Sequence, residues 1–264
     1  MRRRIAALAA VAAFFVSVWP ANAAGPPAWG SRIAAAERYA KGRAGVVAFA
    51  LVDGRGRLHG YRASAVAPSA SLLKPMLLAA YLRKASVRGR ALTQRERDLL
   101  GPMIRRSDNA AASTVLRLVG SSGLTRLAEV TGMSRFRLVL PFWGHSEITP
   151  RDQARFFYRI DSYVPGRHRR YAMRLLATIV PHQRWGVAEV APPGWNLYFK
   201  GGWSTGTGLV DHQAALLTLG RTRVSLAITT RFNPSHPYGK QTLRGVASRL
   251  LLGLWTASST SSPR

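Results

Sequence analysis

The sequence predicts an α+β fold in which a five-stranded antiparallel sheet is flanked by helices and interrupted by an inserted all-helical lobe. Strand-like apolar segments occur near the two ends of the chain, and their hairpin-length links favour antiparallel pairing. Between them, apolar residues recur at helical spacing. The chain has 264 residues, of which 47% are hydrophobic, so it can bury a sizeable core and is not expected to be disordered as a whole.

The first 23 residues have the pattern of a secretory signal peptide. A basic stretch, Arg2–Arg4, precedes an uncharged apolar run, Ile5–Trp19, that is short for a membrane span. Small residues at Ala21 and Ala23 then match the spacing that signal peptidase accepts. We expect cleavage after Ala23 and a secreted mature chain of residues 24–264, with an uncleaved anchor as the alternative. The chain has no cysteine, so disulfides give no information on its compartment.

The predicted sheet lobe comprises residues 24–70 and 186–264. A helix over residues 34–43 precedes a hairpin whose strands, residues 45–52 and 57–62, are joined by the turn at Asp53–Gly56. Towards the C-terminus the pattern predicts three further strands and a closing helix, at residues 195–200, 210–219, 224–230 and 244–255.

The helical lobe is predicted over residues 71–185. Apolar residues from Leu72 to Tyr81 recur at helical spacing. Ser107-Asp108-Asn109 precedes an alanine-rich segment and suits a helix start. Thr149 and Pro150 suit a further start, as the cap and the first helical residue.

Three short motifs stand in a fixed order along the chain: Ser71-Leu72-Leu73-Lys74, Ser107-Asp108-Asn109 and Lys200-Gly201-Gly202. The chain contains 39 lysines and arginines, of which the only lysines are Lys41, Lys74, Lys84, Lys200 and Lys240. A desolvated lysine can act as a base whereas arginine cannot. The presence of scarce lysines in two of the motifs is therefore informative.

Each motif fits a catalytic role and a purely structural one. Ser71 and Lys74 would share one helix face, where the amine could activate the hydroxyl, but this pair by itself favours a helix cap and a solvated lysine. Ser107-Asp108-Asn109 could relay protons and hold an amide, or simply cap a helix. Lys200 could face a carboxylate or lie on the surface. The order and setting of the three together favour one catalytic cleft.

In this order the motifs resemble those of the serine β-lactamase and penicillin-binding protein superfamily, in particular class A β-lactamases. The resemblance spans about residues 30–256 and includes the helix start at Thr149-Pro150. It implies a β-lactamase-like fold and acyl transfer to a serine.

The resemblance also implies residue roles. Ser71 would be the acylated nucleophile, Lys74 its base and Ser107 the proton shuttle to the leaving nitrogen. Asn109 would contact the substrate amide, and Lys200 would be the electrostatic partner of the substrate carboxylate. The backbone N–H groups of Ser71 and Trp203 would form the oxyanion hole. Gly202, with its neighbour Gly201, would let a substrate backbone approach as an added strand.

Two departures from the class A pattern bear on the substrate. No omega-loop glutamate is found to activate the deacylating water, and Glu147 is the remaining candidate although it stands late for the role. Gly201 replaces the usual threonine or serine that would bind a substrate carboxylate. This weakens the case for penicillin or a terminal D-alanine as natural ligand, and Trp203 would suit a more apolar one.

Three functions stay open. The first is an exported class A β-lactamase-like hydrolase, and the second a D,D-peptidase or other amide or ester hydrolase acting on cell-wall material. The third is a non-catalytic wall-binding protein of the same fold. Six histidines without ligand spacing predict no metal, and we expect no other cofactor.

The net charge of +28 points to anionic partners. Arginines occur throughout the chain and nothing resembles a recognition helix, so nucleic acid is not expected. Association with an anionic wall or membrane surface is expected instead, by a monomer. The run Arg167–Arg170 is predicted to be a solvated turn, and His212 a surface histidine.

Overall fold

The computed structural model describes residues 28–206 and 208–254. The predicted signal peptide of residues 1–23 lies outside the described residues. Within them, no helix is both long and apolar enough to cross a membrane.

The described chain has a group of strands near each end and a run of helices between them. The strands are β1 (Val46–Val52), β2 (Leu58–Tyr61), β3 (Ala67–Pro68), β4 (Glu147–Ile148), β5 (Asn196–Ser204), β6 (Val210–Leu219) and β7 (Thr222–Arg231). The helices are α1 (Trp29–Lys41), α2 (Leu73–Arg83), α3 (Ala85–Arg88), α4 (Gln94–Arg105), α5 (Asn109–Val130), α6 (Pro150–Tyr158), α7 (Ile160–Tyr163), α8 (Gly166–Ala177) and α9 (His236–Leu251).

The predicted α+β fold with a five-stranded antiparallel sheet is confirmed. The strand order is β2-β1-β7-β6-β5, and each neighbouring pair is antiparallel. Eight successive residues of β6 are buried, which requires both faces of the sheet to be covered. Helices α1 and α9 pack together on the sheet, and α6 packs against β1, β6 and β7. Strand β5 stands at one edge of the sheet.

Helix α6 begins as predicted, with the Thr149 side chain accepting a hydrogen bond from the Asp152 N–H and Pro150 in the first turn. It belongs to the segment assigned to the helical lobe, yet it lies on the sheet. The Ser225 hydroxyl of β7 donates to the carbonyl oxygen of Ala154 over 2.7 Å. The lobe boundaries at residues 70 and 185 stay a prediction.

Two helices begin earlier than predicted. Helix α1 starts at Trp29 and α9 at His236. For α9 the reason is local, because the Ser235 hydroxyl accepts a hydrogen bond from the Tyr238 N–H and caps the helix before its apolar stripe begins.

Helix α2 is buried on all sides. All ten residues from Leu73 to Leu82 are buried, and the helix packs against α4 and α5. A helix that is apolar all round belongs in a core. A single 3₁₀ turn, Ala70–Leu72, leads directly into it. Lys74 is thereby carried into the interior.

The prediction of His212 as a surface residue is wrong. The side chain is fully buried in β6, where its Nδ1 accepts from the Thr230 N–H over 3.1 Å and its Nε2 donates to the Pro68 carbonyl over 2.9 Å. Only a neutral imidazole protonated at Nε2 satisfies both partners. His212 therefore joins the sheet to the segment that precedes Ser71, and burial lowers its pKa to about 4.

The prediction of a solvated turn at Arg167–Arg170 is also wrong. These residues form the first turns of α8, and His168 among them is buried with its Nε2 at 3.1 Å from the Val87 carbonyl oxygen. The arginines lie on the outer side of the helix while His168 packs inward.

The buried His212 makes stability depend on pH. Because its pKa is about 4 in the folded protein and about 6.5 when unfolded, the unfolded chain binds the proton preferentially between these values. We expect the free energy of unfolding to be highest above pH ~6.5 and to fall by about 3 kcal/mol towards pH ~4. Urea unfolding across this range measures it. In His212→Gln, which has no titrating group at this position, the free energy of unfolding should fall less over this pH range, by about 3 kcal/mol. An equal fall in both proteins would contradict the role of His212.

Candidate active site

A cleft of ≈370 Å³ opens between the edge strand β5, the starts of α2 and α5, and the segment before β4. Its size lies in the range of small-molecule sites. It is lined by Ala70, Ser71, Ser107, Asn109, Ser113, Pro141, Phe142, Trp143, Gly144, His145, Trp203 and Ser204.

The Lys74 amine is the centre of the polar groups at this cleft. Its Nζ lies 2.9 Å from the Ser71 Oγ, 3.0 Å from the Ser107 Oγ and 2.8 Å from the Asn109 Oδ1. A fourth contact of 2.5 Å reaches the Ser107 carbonyl oxygen. The side chain is fully buried, so the structural alternative of a solvated lysine is wrong.

Ser107 is oriented towards Lys74 by the local backbone. Asp108, not Ser107, caps α5, because its carboxylate accepts from the Ala111 N–H over 2.8 Å. The Ser107 hydroxyl is thus free of the capping role. Its residue has a φ of +60°, a conformation that costs an L-residue about 1 kcal/mol. This turn directs both the carbonyl and the hydroxyl of Ser107 at the same amine.

Lys200 approaches the same hydroxyl from the sheet. Its Nζ donates to the Ser107 Oγ over 3.0 Å and to the Gly201 carbonyl over 2.6 Å, and its side chain is fully buried. It is therefore not a surface lysine. Strand β5 also does not end at the motif as predicted, since it continues through Gly202 to Ser204.

The two amines have lowered pKa values. Burial brings the pKa of Lys74 to about 7, against a smaller opposing effect of the Asp108 carboxylate. Burial, followed by the proximity of Lys74, holds the pKa of Lys200 well below its ordinary value. Two cations sharing one buried hydroxyl would repel each other in a low dielectric. A neutral amine is thus accessible near neutral pH.

A neutral Lys74 fits its surroundings. It has two N–H donors and one lone pair. The carbonyl oxygens of Ser107 and Asn109 can only accept, so they use both donors. The lone pair is then available to the Ser71 hydroxyl at 2.9 Å. The geometry matches a base poised to take the Ser71 proton.

Gly202 lets β5 lie directly against the start of α2. A Cβ at this position would stand 3.0 Å from the backbone nitrogen of Ser71 and 3.1 Å from that of Leu72. The next residue, Trp203, is partly exposed and lines the cleft. The first-turn N–H groups and the edge strand thus meet beside the Ser71 hydroxyl, as an oxyanion hole requires.

Gly201 faces an indole ring rather than open space. A Cβ at Gly201 would stand 3.0 Å from both Cζ2 and Cη2 of Trp185. Trp185 in turn meets Trp203 edge to face, with ring centroids 5.9 Å apart. A threonine in this position would have to displace the Trp185 ring.

Glu147 does not reach the cleft, which corrects its candidacy as the base for deacylation. Both of its carboxylate oxygens accept hydrogen bonds from the Arg137 guanidinium, and this pairing lowers its pKa. The cleft lining, all within the described part of the chain, contains no Asp or Glu.

The cleft wall formed by residues 141–145 was not predicted from the sequence. Its Trp143 donates from Nε1 to the Ser113 Oγ over 3.0 Å, and its ring lies 5.3 Å from the Lys74 Nζ. Phe142 is 67% exposed beside it. The signal available in the sequence was an adjacent aromatic pair after a proline in a polar-poor loop.

The structure brings five of the predicted site residues together around the Lys74 amine: Ser71, Lys74, Ser107, Asn109 and Lys200. Gly202 and Trp203 follow Lys200 on β5, beside the same cleft. Among residues 28–206 and 208–254, no group of three or more His, Asp or Glu side chains could hold a metal ion.

Comparisons with known proteins agree with this geometry. No curated protein matches the sequence. The solved structures it resembles include a beta-lactamase from Sphaerobacter thermophilus, at 20% identity and a TM-score of 0.72, covering 85% of this chain and 97% of that one. A beta lactamase from Xanthomonas campestris pv. campestris has 20% identity and a TM-score of 0.72, with 83% and 96% covered. An ancestral class A beta-lactamase has 18% identity and a TM-score of 0.71, with 83% and 98% covered.

The TM-scores show a shared fold, and at these identities the structural likeness shows the fold alone. The family itself follows from the sequence, because the model of the beta-lactamase enzyme family matches residues 92–254, more than half of the chain. The match includes the second and third motifs. With the first motif adjoining them in the same cleft, the superfamily resemblance is confirmed, and the chain belongs to the beta-lactamase enzyme family.

Proposed function

We propose that this protein is a serine hydrolase that forms an acyl-enzyme at Ser71 and releases it slowly. The observation that carries the proposal is the position of the Lys74 Nζ. It is fully buried and lies within 3.0 Å of both the Ser71 and the Ser107 hydroxyls. One amine can therefore take a proton from the nucleophile and pass it to a shuttle.

Acylation would proceed in two proton transfers. Neutral Lys74 accepts the Ser71 proton while the Ser71 Oγ attacks the carbonyl carbon of an amide or β-lactam. The resulting oxyanion is bound by the N–H groups of Ser71 and Trp203. As the carbon–nitrogen bond breaks, the Ser107 hydroxyl donates its proton to the leaving nitrogen and regains one from Lys74. The Lys200 Nζ, 3.0 Å from the Ser107 Oγ, stabilises the developing negative charge there.

Deacylation needs a base that activates water, and the cleft offers few. Its lining holds no carboxylate within the described chain, and His145 is its only imidazole. Lys74 is neutral again once its proton has reached the leaving group, but its side chain is fully buried and does not line the cleft, so water that enters the cleft would not meet it directly. We therefore propose a long-lived acyl-enzyme and low turnover.

Slow deacylation favours the D,D-peptidase-like or related amide and ester hydrolase over an efficient β-lactamase. Asn109 faces Lys74 and lines the cleft, so its amide is available to a substrate amide as well. The non-catalytic alternative is disfavoured, because inert wall binding does not require a buried lysine with two hydroxyls in contact.

We also propose export and association with an anionic surface. The first 23 residues have the signal pattern described above. Six arginines line two adjoining clefts on α4 and α8, and none has an acidic partner among the described residues. They are Arg97, Arg105, Arg106, Arg167, Arg170 and Arg174. One acidic residue, Asp98, lines the second of these clefts without an ion pair to them. Guanidinium groups that lack a carboxylate partner in a concave setting suit phosphate groups.

The nucleophile is tested by intact-mass spectrometry with benzylpenicillin. We expect a stable adduct that persists for minutes, because acylation is supported and deacylation is not. Ser71→Ala should lose the adduct. Ser113→Ala is the matched control, since this hydroxyl lines the same cleft but is bonded to Trp143, and it should keep the adduct. An adduct that survives in Ser71→Ala would overturn the assignment, and one that clears within seconds would overturn slow deacylation.

The base is tested by the pH dependence of acylation. Since the reactive form is neutral Lys74 with a pKa of about 7, the second-order acylation constant should rise about tenfold per unit below that pH and level off above it. The midpoint belongs to the coupled pair of Lys74 and Lys200. Lys74→Arg, which keeps a charge but cannot deprotonate, should be at least about 100-fold slower throughout. A flat profile from pH ~5.5 to pH ~8.5 would contradict the mechanism.

Surface association is tested by co-sedimentation with phosphatidylglycerol vesicles, using phosphatidylcholine vesicles as reference. We expect binding to the former only, weakening as salt rises to about 0.5 M. Arg170→Gln/Arg174→Gln should bind several-fold more weakly. Arg55→Gln/Arg221→Gln removes the same charge from exposed turns and should have a smaller effect. Equal losses would mean that net charge, not the arginine clefts, governs binding.

A further inference from the structure

We propose that the substrate group lying along β5 beyond the reacting bond is uncharged and apolar, and that Trp185 opposite Gly201 sets this preference. The inference rests on the acyl-serine function proposed above. It names the substrate class, namely amides or esters whose acyl acceptor side carries no free carboxylate. Of the hydrolase functions favoured above, it therefore selects the related amide or ester hydrolase over a D,D-peptidase, because the terminal D-alanine that a D,D-peptidase releases carries a free carboxylate.

Lys200 reaches the cleft only from behind the Ser107 hydroxyl and the Trp203 ring, whose centroid lies 5.6 Å from its Nζ. Its Nζ points to the Ser107 Oγ and the Gly201 carbonyl, its side chain is fully buried, and it is not among the lining residues. A substrate carboxylate at the surface of β5 would therefore not meet it directly.

The space beside Gly201 is already filled. Two carbons of the Trp185 ring stand 3.0 Å from where a Cβ would be, so no hydroxyl-bearing side chain fits at this position without moving the indole. Gly201 and Trp203 lie on the same face of β5 because strand side chains alternate. The two indoles meet there edge to face.

Trp185 is held by the sheet itself. Gln213, which pairs with Gly201 across β5 and β6, donates from Nε2 to the Trp185 carbonyl over 2.6 Å and accepts at Oε1 from the Val187 N–H over 2.7 Å. Gly186 between them has a φ of +65°, and a Cβ there would stand 2.3 Å from the Gln213 Oε1. This arrangement requires glycine and fixes the backbone of Trp185. The indole ring itself is packed between the Gly201 backbone, the Trp203 ring and the Lys240 amine.

The remaining lining is aromatic and polar. Phe142, Trp143 and Trp203 form aromatic walls, Asn109 and Ser204 supply amide and hydroxyl groups, and His145 supplies one imidazole. The cleft lining within the described chain has no Arg or Lys, and the nearby Lys240 amine is engaged by the Trp185 ring, 5.3 Å from its centroid. A carboxylate desolvated here would have no ammonium or guanidinium group in direct contact, which is costly, whereas an apolar group would pack on the aromatic rings.

The test compares two acyl donors that differ only at the carboxylate: benzylpenicillin and its methyl ester. Second-order constants for acylation of Ser71 are measured by intact mass at about 0.5 M salt, which screens the attraction of the basic protein for the anion. We expect the ester to react at least as fast as the acid. A faster reaction of the free acid overturns the inference while leaving the acyl-serine function intact. Acylation by neither donor overturns both.

Variants test whether Trp185 is responsible. Trp185→Ala/Gly201→Thr removes the indole and provides a hydroxyl, and should shift the ester-to-acid ratio towards the acid by at least tenfold. Trp185→Phe keeps an aromatic ring against Gly201 and should leave the ratio near that of the wild type. An unchanged ratio in a folded double variant, verified by circular dichroism, would show that Trp185 does not set the preference.

Discussion

The burial of one amine organises this protein. Lys74 lies on a helix that is apolar on every side, so its head group can be accommodated only by polar partners supplied from elsewhere. The Ser71 hydroxyl comes from the turn before the same helix, and Ser107 and Asn109 come from the start of α5. The strained turn at Ser107 directs its polar groups at the amine, and Asp108 caps α5 in its place.

The edge strand β5 supplies the other half of the site. It brings Lys200 to the Ser107 hydroxyl from the side opposite Lys74, and Gly202 allows its backbone to approach the first N–H groups of the α2 segment. His212 on the neighbouring strand holds the Pro68 carbonyl just before that segment. The relative position of Ser71 and the edge strand therefore depends on buried hydrogen bonds of the sheet rather than on the cleft residues alone.

Acylation and deacylation place different demands on this arrangement. Transfer of the nucleophile's proton needs only the amine and two hydroxyls, all of which are in contact. Activation of water needs a base on the exposed side of the acyl group, where the described chain provides aromatic rings, amide and hydroxyl groups and the imidazole of His145, but no carboxylate. Glu147 is engaged by Arg137 instead. The slow turnover and the preference for uncharged substrates that we propose thus share one physical basis, because the cleft lining has neither a carboxylate to activate water nor an ammonium or guanidinium group to bind a substrate carboxylate.

Local patterns in the sequence determined the strands, the helix starts at Thr149 and Asp108, and the motifs at Ser71, Ser107 and Lys200, because periodicity, capping and short-range spacing depend on neighbouring residues. The burial of His212, the helical setting of Arg167–Arg170, the packing of α6 on the sheet and the pairing of Glu147 with Arg137 could not be predicted in this way. They result from contacts between segments far apart in the chain. The environment of Gly201 was likewise decided by tertiary structure, because the Trp185 ring packs against it and Gln213 on the adjacent strand holds the Trp185 backbone there.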